Sequence, residues 1–414
     1  MSAAQPYVLE EIGIPEDEQG SATGDITFYS ELLIIALVAP WGVVSDKIGR
    51  RFVYFVGLFL MAVAFIIYPF APNFGALVGF RLIYAVGAAA CAAMLTAVLS
   101  DVIGERDRGR ASGIMGVSSG LGAVFAATCL LQIPSWSENL GTTSAFKVMY
   151  GATAGIVIVG AIIVTILMHS RSSIKVDNEG TNPLTLLKQG FTAAYHDPRL
   201  ALGYCAGFVA RGDAVVLTTF LSLWIQDWET SNGETPEDAA SSAGVITGVA
   251  QTFAVIFALV AGYISTKYDN VRALCAMSVL ALIGYGGMSF MTDPTSMPAI
   301  VLACVVGVGE IGVIVSSQAL VSRRSPKDIR GSIGGAFGLC GSVGILVCSK
   351  LGGALYDSWN PAAPFVIFAC FNGVLLIGCF IVIILEHKRG GPPAPLADEM
   401  TYDKITDNGD GDDQ

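Results

Sequence analysis

The chain has 414 residues, 53% of them hydrophobic and only 14% charged, with a formal net charge of −11. Soluble proteins carry about 25% charged residues and helices with one polar face, so a mean hydropathy of +0.63 excludes a soluble all-α domain. The negative charge gathers in residues 1–26, 226–240 and 398–413, and no stretch forms a basic surface for nucleic acid.

Residues 1–26 hold six acids and no cation, without the basic and apolar regions of a signal peptide, and are expected to be an acidic non-cytoplasmic segment of the kind that suits an outer loop. A first bundle is predicted over 27–168, with apolar spans at 27–45, 52–70, 75–99, 109–131 and 147–168. A cytoplasmic linker with an amphipathic helix covers 169–199. The second bundle, 200–386, has spans at 200–225, 243–264, 271–291, 297–321, 332–356 and 362–385. Residues 387–414 form a disordered acidic tail. Each of the eleven spans has about 20 residues, enough to cross the hydrocarbon core. The fold class is therefore an all-α polytopic membrane protein.

Lysine and arginine collect in cytoplasmic loops. With the loop between the first two spans placed inside, nineteen of the 23 cations fall on that side. The exceptions are Lys147, at a helix start, and Arg81, Arg211 and Lys350, within spans. This puts the C-terminus in the cytoplasm and the N-terminus outside.

The two halves repeat at an offset of 222 residues: Gly87, Gly109, Gly113, Gly116 and Gly122 match Gly309, Gly331, Gly335, Gly338 and Gly344. All nine cysteines fall inside spans, none with metal-ligand spacing, and read as small packing residues. Neither a metal nor a cofactor is expected. No phosphate-binding loop is present, and the membrane carboxylates have no nucleophile–base partner, so the chain does not read as an enzyme.

The first two spans are joined by Gly42-Val43-Val44-Ser45-Asp46-Lys47-Ile48-Gly49-Arg50-Arg51, predicted to contain a loop of about six residues. This stretch resembles the signature loop of the major facilitator superfamily, G-x-x-x-D-x-x-G-R-R/K, found between that family's second and third helices. Here it follows the first span. The resemblance implies two pseudo-symmetric bundles and twelve helices, of which eleven are present. A first helix missing by truncation is expected, with a natural eleven-helix protein as the alternative. The second half keeps a worn copy, Gly262 to Lys267, with Thr266 at the position of Asp46.

The resemblance also implies roles. Gly42, Asp46, Gly49, Arg50 and Arg51 would form a cytoplasmic gate motif that stabilises the outward-facing state, with Arg108 and Arg110 (and Arg106) as nearby partners. Arg81 opens Arg81-Leu82-Ile83-Tyr84-Ala85-Val86-Gly87, which resembles the family's helix-4 motif R-x-x-x-x-x-G, whose arginine is associated with proton coupling.

Ionisable groups at membrane depth are costly and mark pathways or internal pairs. Arg211, Asp213 and Glu310 lie near the middle of their spans and Arg81 in an outer half, and in the family's order these four fall on helices 4, 7 and 10, which line its central cavity. Arg211 and Asp213 are two apart, so their side chains point about 200° from each other. Glu310 is expected to meet Arg211, and Arg81 to meet Asp213. Structural pairing and substrate or proton binding both remain open for this set. Gln318 and Gln251 are further polar candidates, while Lys350 and Glu31 read as structural or as part of the gate mouth. The expected function is secondary active transport of a small solute by alternating access, coupled to protons, by a monomer in the lipid bilayer. The two arginines favour an organic anion or zwitterion. A transporter-like receptor or sensor, or an inactive truncated product, is the alternative. The drug-antiporter motif G-P-x-x-G-G and the sugar-porter motif P-E-S-P-R are missing, although neither class is excluded.

Overall fold

In the computed structural model, residues 4–102, 108–137, 141–168, 183–326 and 329–389 are described. The helices are α1 (Gln5–Glu11), α2 (Glu16–Ile48), α3 (Arg50–Ile67), α4 (Phe74–Val102), α5 (Arg108–Phe125), α6 (Ile133–Trp136), α7 (Thr142–Leu167) and α8 (Pro183–His196), followed by α9 (Pro198–Val215), α10 (Leu221–Ser231), α11 (Pro236–Lys267), α12 (Asn270–Met288), α13 (Met297–Arg324), α14 (Arg330–Ser358) and α15 (Ala363–Arg389). A π-helical turn, Ala126–Leu130, extends α5, and a second, Val216–Phe220, joins α9 to α10. Eleven spans among the described residues are long and apolar enough to cross a membrane, as the sequence predicts. Their outer faces are apolar, with Ile166, Leu167 and Val374 about two-thirds or more exposed, as a lipid-facing surface requires.

The two halves use the same helix pairings. α3 packs on α4 as α12 packs on α13, α2 on α4 as α11 on α13, and α3 on α7 as α12 on α15. One matched pair, Gly87 and Gly309, carries one of these pairings, whereas a Cβ at Gly122 would meet nothing within 4 Å and one at Gly344 would press on the Phe208 carbonyl. A Cβ at Gly87 would lie 2.5 Å from the Gly57 carbonyl oxygen, and one at Gly309 2.5 Å from Ala281 Cα. Small residues thus let the backbones approach at equivalent places. The halves meet along α2–α14 and α5–α11.

Two sequence expectations are corrected. Residues 1–26 are not an open loop. α1 is a short buried helix, with Tyr7 stacked on Phe146 of α7 at 3.8 Å and the Tyr150 hydroxyl donating to the Ala4 carbonyl at 3.3 Å. α2 already begins at Glu16, because Pro15 supplies an extended N-cap and Asp17 and Glu18 suit the positive end of a helix. The loop after the first span is also shorter than expected. α2 runs to Ile48 and α3 starts at Arg50, with Gly49 alone between them at φ +99°. Only glycine adopts that conformation without strain, so it turns the chain in one residue.

Of the polar segments, α8 packs on α14, and its Gly190 carbonyl accepts from the Tyr204 hydroxyl at 3.0 Å. Residues 169–182 of the linker and 390–414 of the tail lie outside the described residues.

Candidate translocation site

α9 carries Arg211-Gly212-Asp213 across the middle of the second bundle. A Cβ at Gly212 would lie 2.5 Å from Phe368 Cζ and 3.2 Å from the Gly344 carbonyl oxygen. The glycine therefore lets α9 sit directly against α14 and α15. Helical geometry then sends its two charged neighbours to opposite sides.

Asp213 turns into the bundle and is fully buried. The Asn372 amide of α15 donates to its two carboxylate oxygens at 3.3 and 3.4 Å. Tyr285 of α12, also fully buried, donates to the Asp213 main-chain carbonyl at 3.3 Å. Glu310 of α13 is 7% exposed and lies within electrostatic reach of Asp213. Its Oε2 has no hydrogen-bond partner among the described residues. Four helices of one bundle thus enclose two carboxyl groups.

Arg211 takes the other side and is exposed. It packs on Gly341 of α14, where a Cβ would lie 2.6 Å from Arg211 Cγ. Glu31 of α2, hydrogen-bonded with Ser342 of α14, is within its electrostatic reach. Arg211 therefore stands where the two bundles meet, facing an acid of the opposite bundle.

The expected pairings are not seen among the described residues. Asp213 meets Asn372 and Tyr285 and has Glu310 within electrostatic reach, while Arg211, which diverges from Asp213 around α9, has Glu31 within its electrostatic reach. Arg81 is 7% exposed on α4, with its guanidinium carbon 5.0 Å from the centroid of the Tyr84 ring. It lies within electrostatic reach of Tyr68 and Tyr150, themselves fully buried in the first bundle. Arg81 belongs to this aromatic cluster and not to the Asp213 group. Gln318 is exposed on α13, two turns beyond Glu310, and Gln251 is half-buried on α11. Asn372 and Tyr285 were missed in the sequence; an amide inside the apolar run around Phe371-Asn372-Gly373 is the signal that points to the first.

Among the described residues, further bonds joining the bundles lie at the end away from the Gly49 turn, here called the far end. Asp357 of α14 accepts from the main-chain nitrogens of Gly20 and Ser21 of α2 at 2.8 and 2.6 Å. Lys350 pairs with Asp25. The side chains of Gln132 and Ser241 bond reciprocally, with Ser241 Oγ donating to Gln132 Oε1 at 2.6 Å and Gln132 Nε2 to the Ser241 carbonyl at 2.9 Å.

At the opposite end, Arg50 donates to the Ser45 hydroxyl and to the Gly42 carbonyl, the latter at 3.5 Å. An added Cβ at Gly42 would meet nothing within 4 Å. Arg51 is half-buried at the start of α3. The side chains of Asp46, Arg108 and Arg110, and all of Arg106, lie outside the described residues. The worn repeat loop is tied to its own bundle. Asp269, at the position equivalent to Gly49, caps α12 by accepting from the main-chain nitrogens of Val271 and Arg272 at 3.1 and 3.4 Å. It also pairs with Arg199 Nη1 at 2.9 Å, while Arg199 Nη2 donates to Glu386 of α15 at 2.8 Å.

The family model of the Major Facilitator Superfamily matches residues 1–349. The chain is 25% identical over 407 residues to the magnetosome protein MamH of Paramagnetospirillum magneticum, covering 95% of this chain and 91% of MamH. It is 27% identical over 400 residues to the magnetosome protein MamZ of Magnetospirillum gryphiswaldense, covering 92% of this chain but only 59% of MamZ. A gentisate transporter of Corynebacterium glutamicum is 25% identical over 361 residues, covering 84% of this chain and 76% of that protein. Among solved structures, a variant of the nucleoside transporter NupG superposes with a TM-score of 0.72 at 14% identity, covering 92% of this chain and 94% of that one. The D-xylose–proton symporter gives 0.72 at 13% identity, covering 91% and 92%. At these identities the two structures establish the fold alone. The match over residues 1–349 establishes the family: this chain belongs to the Major Facilitator Superfamily, and is a multi-pass membrane transporter rather than an enzyme.

Proposed function

We propose that the chain moves a small organic anion across the membrane in step with protons, by alternating access, with Arg211 facing the solute and Asp213 and Glu310 carrying the proton. The observation that carries this reading is the division of charge on α9. Arg211 is exposed between the bundles, whereas Asp213, two residues on, is fully buried beside Glu310. An exposed guanidinium at a bundle interface is a fork for a carboxylate or phosphate. Two carboxyls enclosed in a membrane protein mark a proton path. The gentisate transporter among the relatives carries, by its name, an aromatic carboxylate, which supports the anionic class. Glu31 lies within electrostatic reach of Arg211, and in this reading the solute's own anionic group competes with it.

The far-end bonds support a reading in which the interface is closed there and access is from the side of the Gly49 turn. The positive-inside distribution of Lys and Arg makes that side, and the C-terminus, cytoplasmic. One chain supplies both bundles, so we take the transporter to act as a monomer.

Purified protein in proteoliposomes, given radiolabelled gentisate and a panel of aromatic and sugar-acid carboxylates, tests the reading with and without an imposed pH gradient. Uptake that the gradient drives, and that Arg211→Gln weakens and Asp213→Asn uncouples, is the expected result. Uptake of neutral solutes alone, or carboxylate uptake indifferent to the gradient, overturns it.

A further inference from the structure

A buried carboxyl group needs donors when ionised and an acceptor when protonated. Asn372 offers Asp213 both from one amide. Its Nδ2 approaches the two Asp213 oxygens at 3.3 and 3.4 Å and also donates to the Phe368 carbonyl at 3.0 Å. Its Oδ1 has no hydrogen-bond partner among the described residues, although the side chain is fully buried. Glu310 Oε2 is in the same situation at 7% exposure. Both unpartnered atoms are acceptors. Buried acceptors without a donor are costly, and a cluster with two of them lacks hydrogen rather than base. A proton on Asp213 or Glu310 supplies it.

The surroundings narrow the role of Asn372. Arg211 points to the other side of α9, and the charged group that acts on Asp213 is Glu310, an acid. α15 packs on α9, α12 and α14 within its own bundle and takes no part in the α2–α14 and α5–α11 seams. Asn372 therefore touches the proton carrier without facing a solute held between the bundles.

We propose that Asn372 is the positioning residue of the proton site: its amide nitrogen holds Asp213 while ionised, and its amide oxygen receives the hydroxyl once Asp213 is protonated. This rests on the reading of Asp213 as a proton carrier. In the step, a proton leaves hydronium and forms an O–H bond on the Asp213 carboxylate. The N–H···O contact to that oxygen and the bond to the Phe368 carbonyl are given up as the amide turns about Cβ–Cγ. An O–H···O bond to Oδ1 replaces them, and no covalent bond breaks apart from the one releasing the proton.

The test uses the proton itself as probe, on the full-length protein in lipid. Infrared difference spectra between about pH 5 and about pH 9 record the C=O stretch of buried protonated carboxyl groups. Asp213→Asn should remove one band. If it removes none, the reading of Asp213 as the proton carrier fails. Asn372→Ala should keep the band, raise its frequency as the hydrogen bond is lost, and move the pH of its half-appearance by about one unit or more. Asn372→Ser, which can still donate and accept, should return both toward the unmodified protein. Where the alanine variant does not fold, Asn372→Leu, nearer in volume, carries the same comparison. An Asp213 band with unchanged frequency and unchanged midpoint in a folded Asn372→Ala or Asn372→Leu protein overturns the proposal and leaves Asn372 as packing.

Discussion

Arg211 and Asp213 are separated by one glycine and belong to different compartments of the protein, the first to the seam between bundles and the second to the sealed interior of one of them. Under the proposed function, a change in the helix at this point reaches both the solute side and the proton side. The π turn at Val216–Phe220, one turn further on, is the kind of local defect that lets a helix readjust.

The Arg211 side gives the first prediction. Arg211→Gln should raise the half-saturating concentration of an anionic solute by about 10–100-fold, the loss of about 1.4–2.8 kcal/mol of charge-assisted bonding. Arg211→Lys should recover part of it, since a point charge lacks the planar fork. Uptake titrations of the two variants against the unmodified protein decide the matter, and equal affinities in all three would remove Arg211 from the solute site.

Glycine contacts predict where α14 tolerates a methyl group. At Gly344 a Cβ would press directly on the Phe208 carbonyl, whereas at Gly338 it would meet nothing within 4 Å. Gly344→Ala should cost about 1–3 kcal/mol through forced separation of α9 and α14. Gly338→Ala should be neutral or gain up to about 1 kcal/mol from helix propensity. Thermal unfolding in one detergent provides the comparison; the reverse order would contradict the packing described.

The far-end bonds differ in strength. Lys350 is 56% exposed at its side chain, so Lys350→Gln should change little, by less than about 1 kcal/mol. Asp357 accepts two main-chain N–H groups of the opposite bundle, and Asp357→Ala should weaken the closed far end by about 2 kcal/mol. Ser349 is fully buried, with its carbonyl against Gly24 of α2, one turn from this contact. In a cysteine-depleted background, Ser349→Cys should be labelled by an impermeant maleimide several-fold faster when combined with Asp357→Ala than alone or with Lys350→Gln. Equal labelling rates would show that Asp357 does not hold the far end shut.

Arg199 gives the fourth. Its side chain is 11% exposed and bridges Asp269 and Glu386, joining α9, the α11–α12 turn and α15. Arg199→Ala should cost about 2–4 kcal/mol, since Glu386 loses its cation in a largely buried place while Asp269, 34% exposed, is partly screened by solvent. A double change with Glu386→Gln should cost less than the two single changes added. Strict additivity in unfolding experiments would mean that the two side chains act independently.

Much of the architecture was readable from the sequence because lipid imposes it. Span length, the alternation of Lys and Arg, and the 222-residue glycine repeat each follow from the membrane as solvent, and the pairing of Gly87 and Gly309 with neighbouring helices bears out the repeat. The partners of the buried charges were not readable. Helical periodicity tells which way Arg211 and Asp213 diverge, but not that Glu31 of α2 stands on one side and Glu310, Tyr285 and Asn372 on the other. That depends on how helices distant in sequence are arranged around α9. Residues 1–26 were misread for a different reason: acidic composition resembles a loop, yet the same charges suit a helix N-terminus, and the apolar residues Tyr7, Val8 and Leu9 bury α1 despite its neighbours.

The single-residue turn at Gly49 has a mechanical meaning. A loop of six residues would absorb relative motion of the helices it joins, whereas one residue leaves no slack. α2 and α3 are thereby geared together, so a tilt of α2 against α14 drags α3, and through it α4 and α7, in the same stroke. The second half achieves such gearing by other means, with Arg199 riveting Asp269 to α9 and α15 where the turn itself lacks a glycine. Each bundle is thus stiffened at the same corner, one by the shortness of its chain and the other by charge.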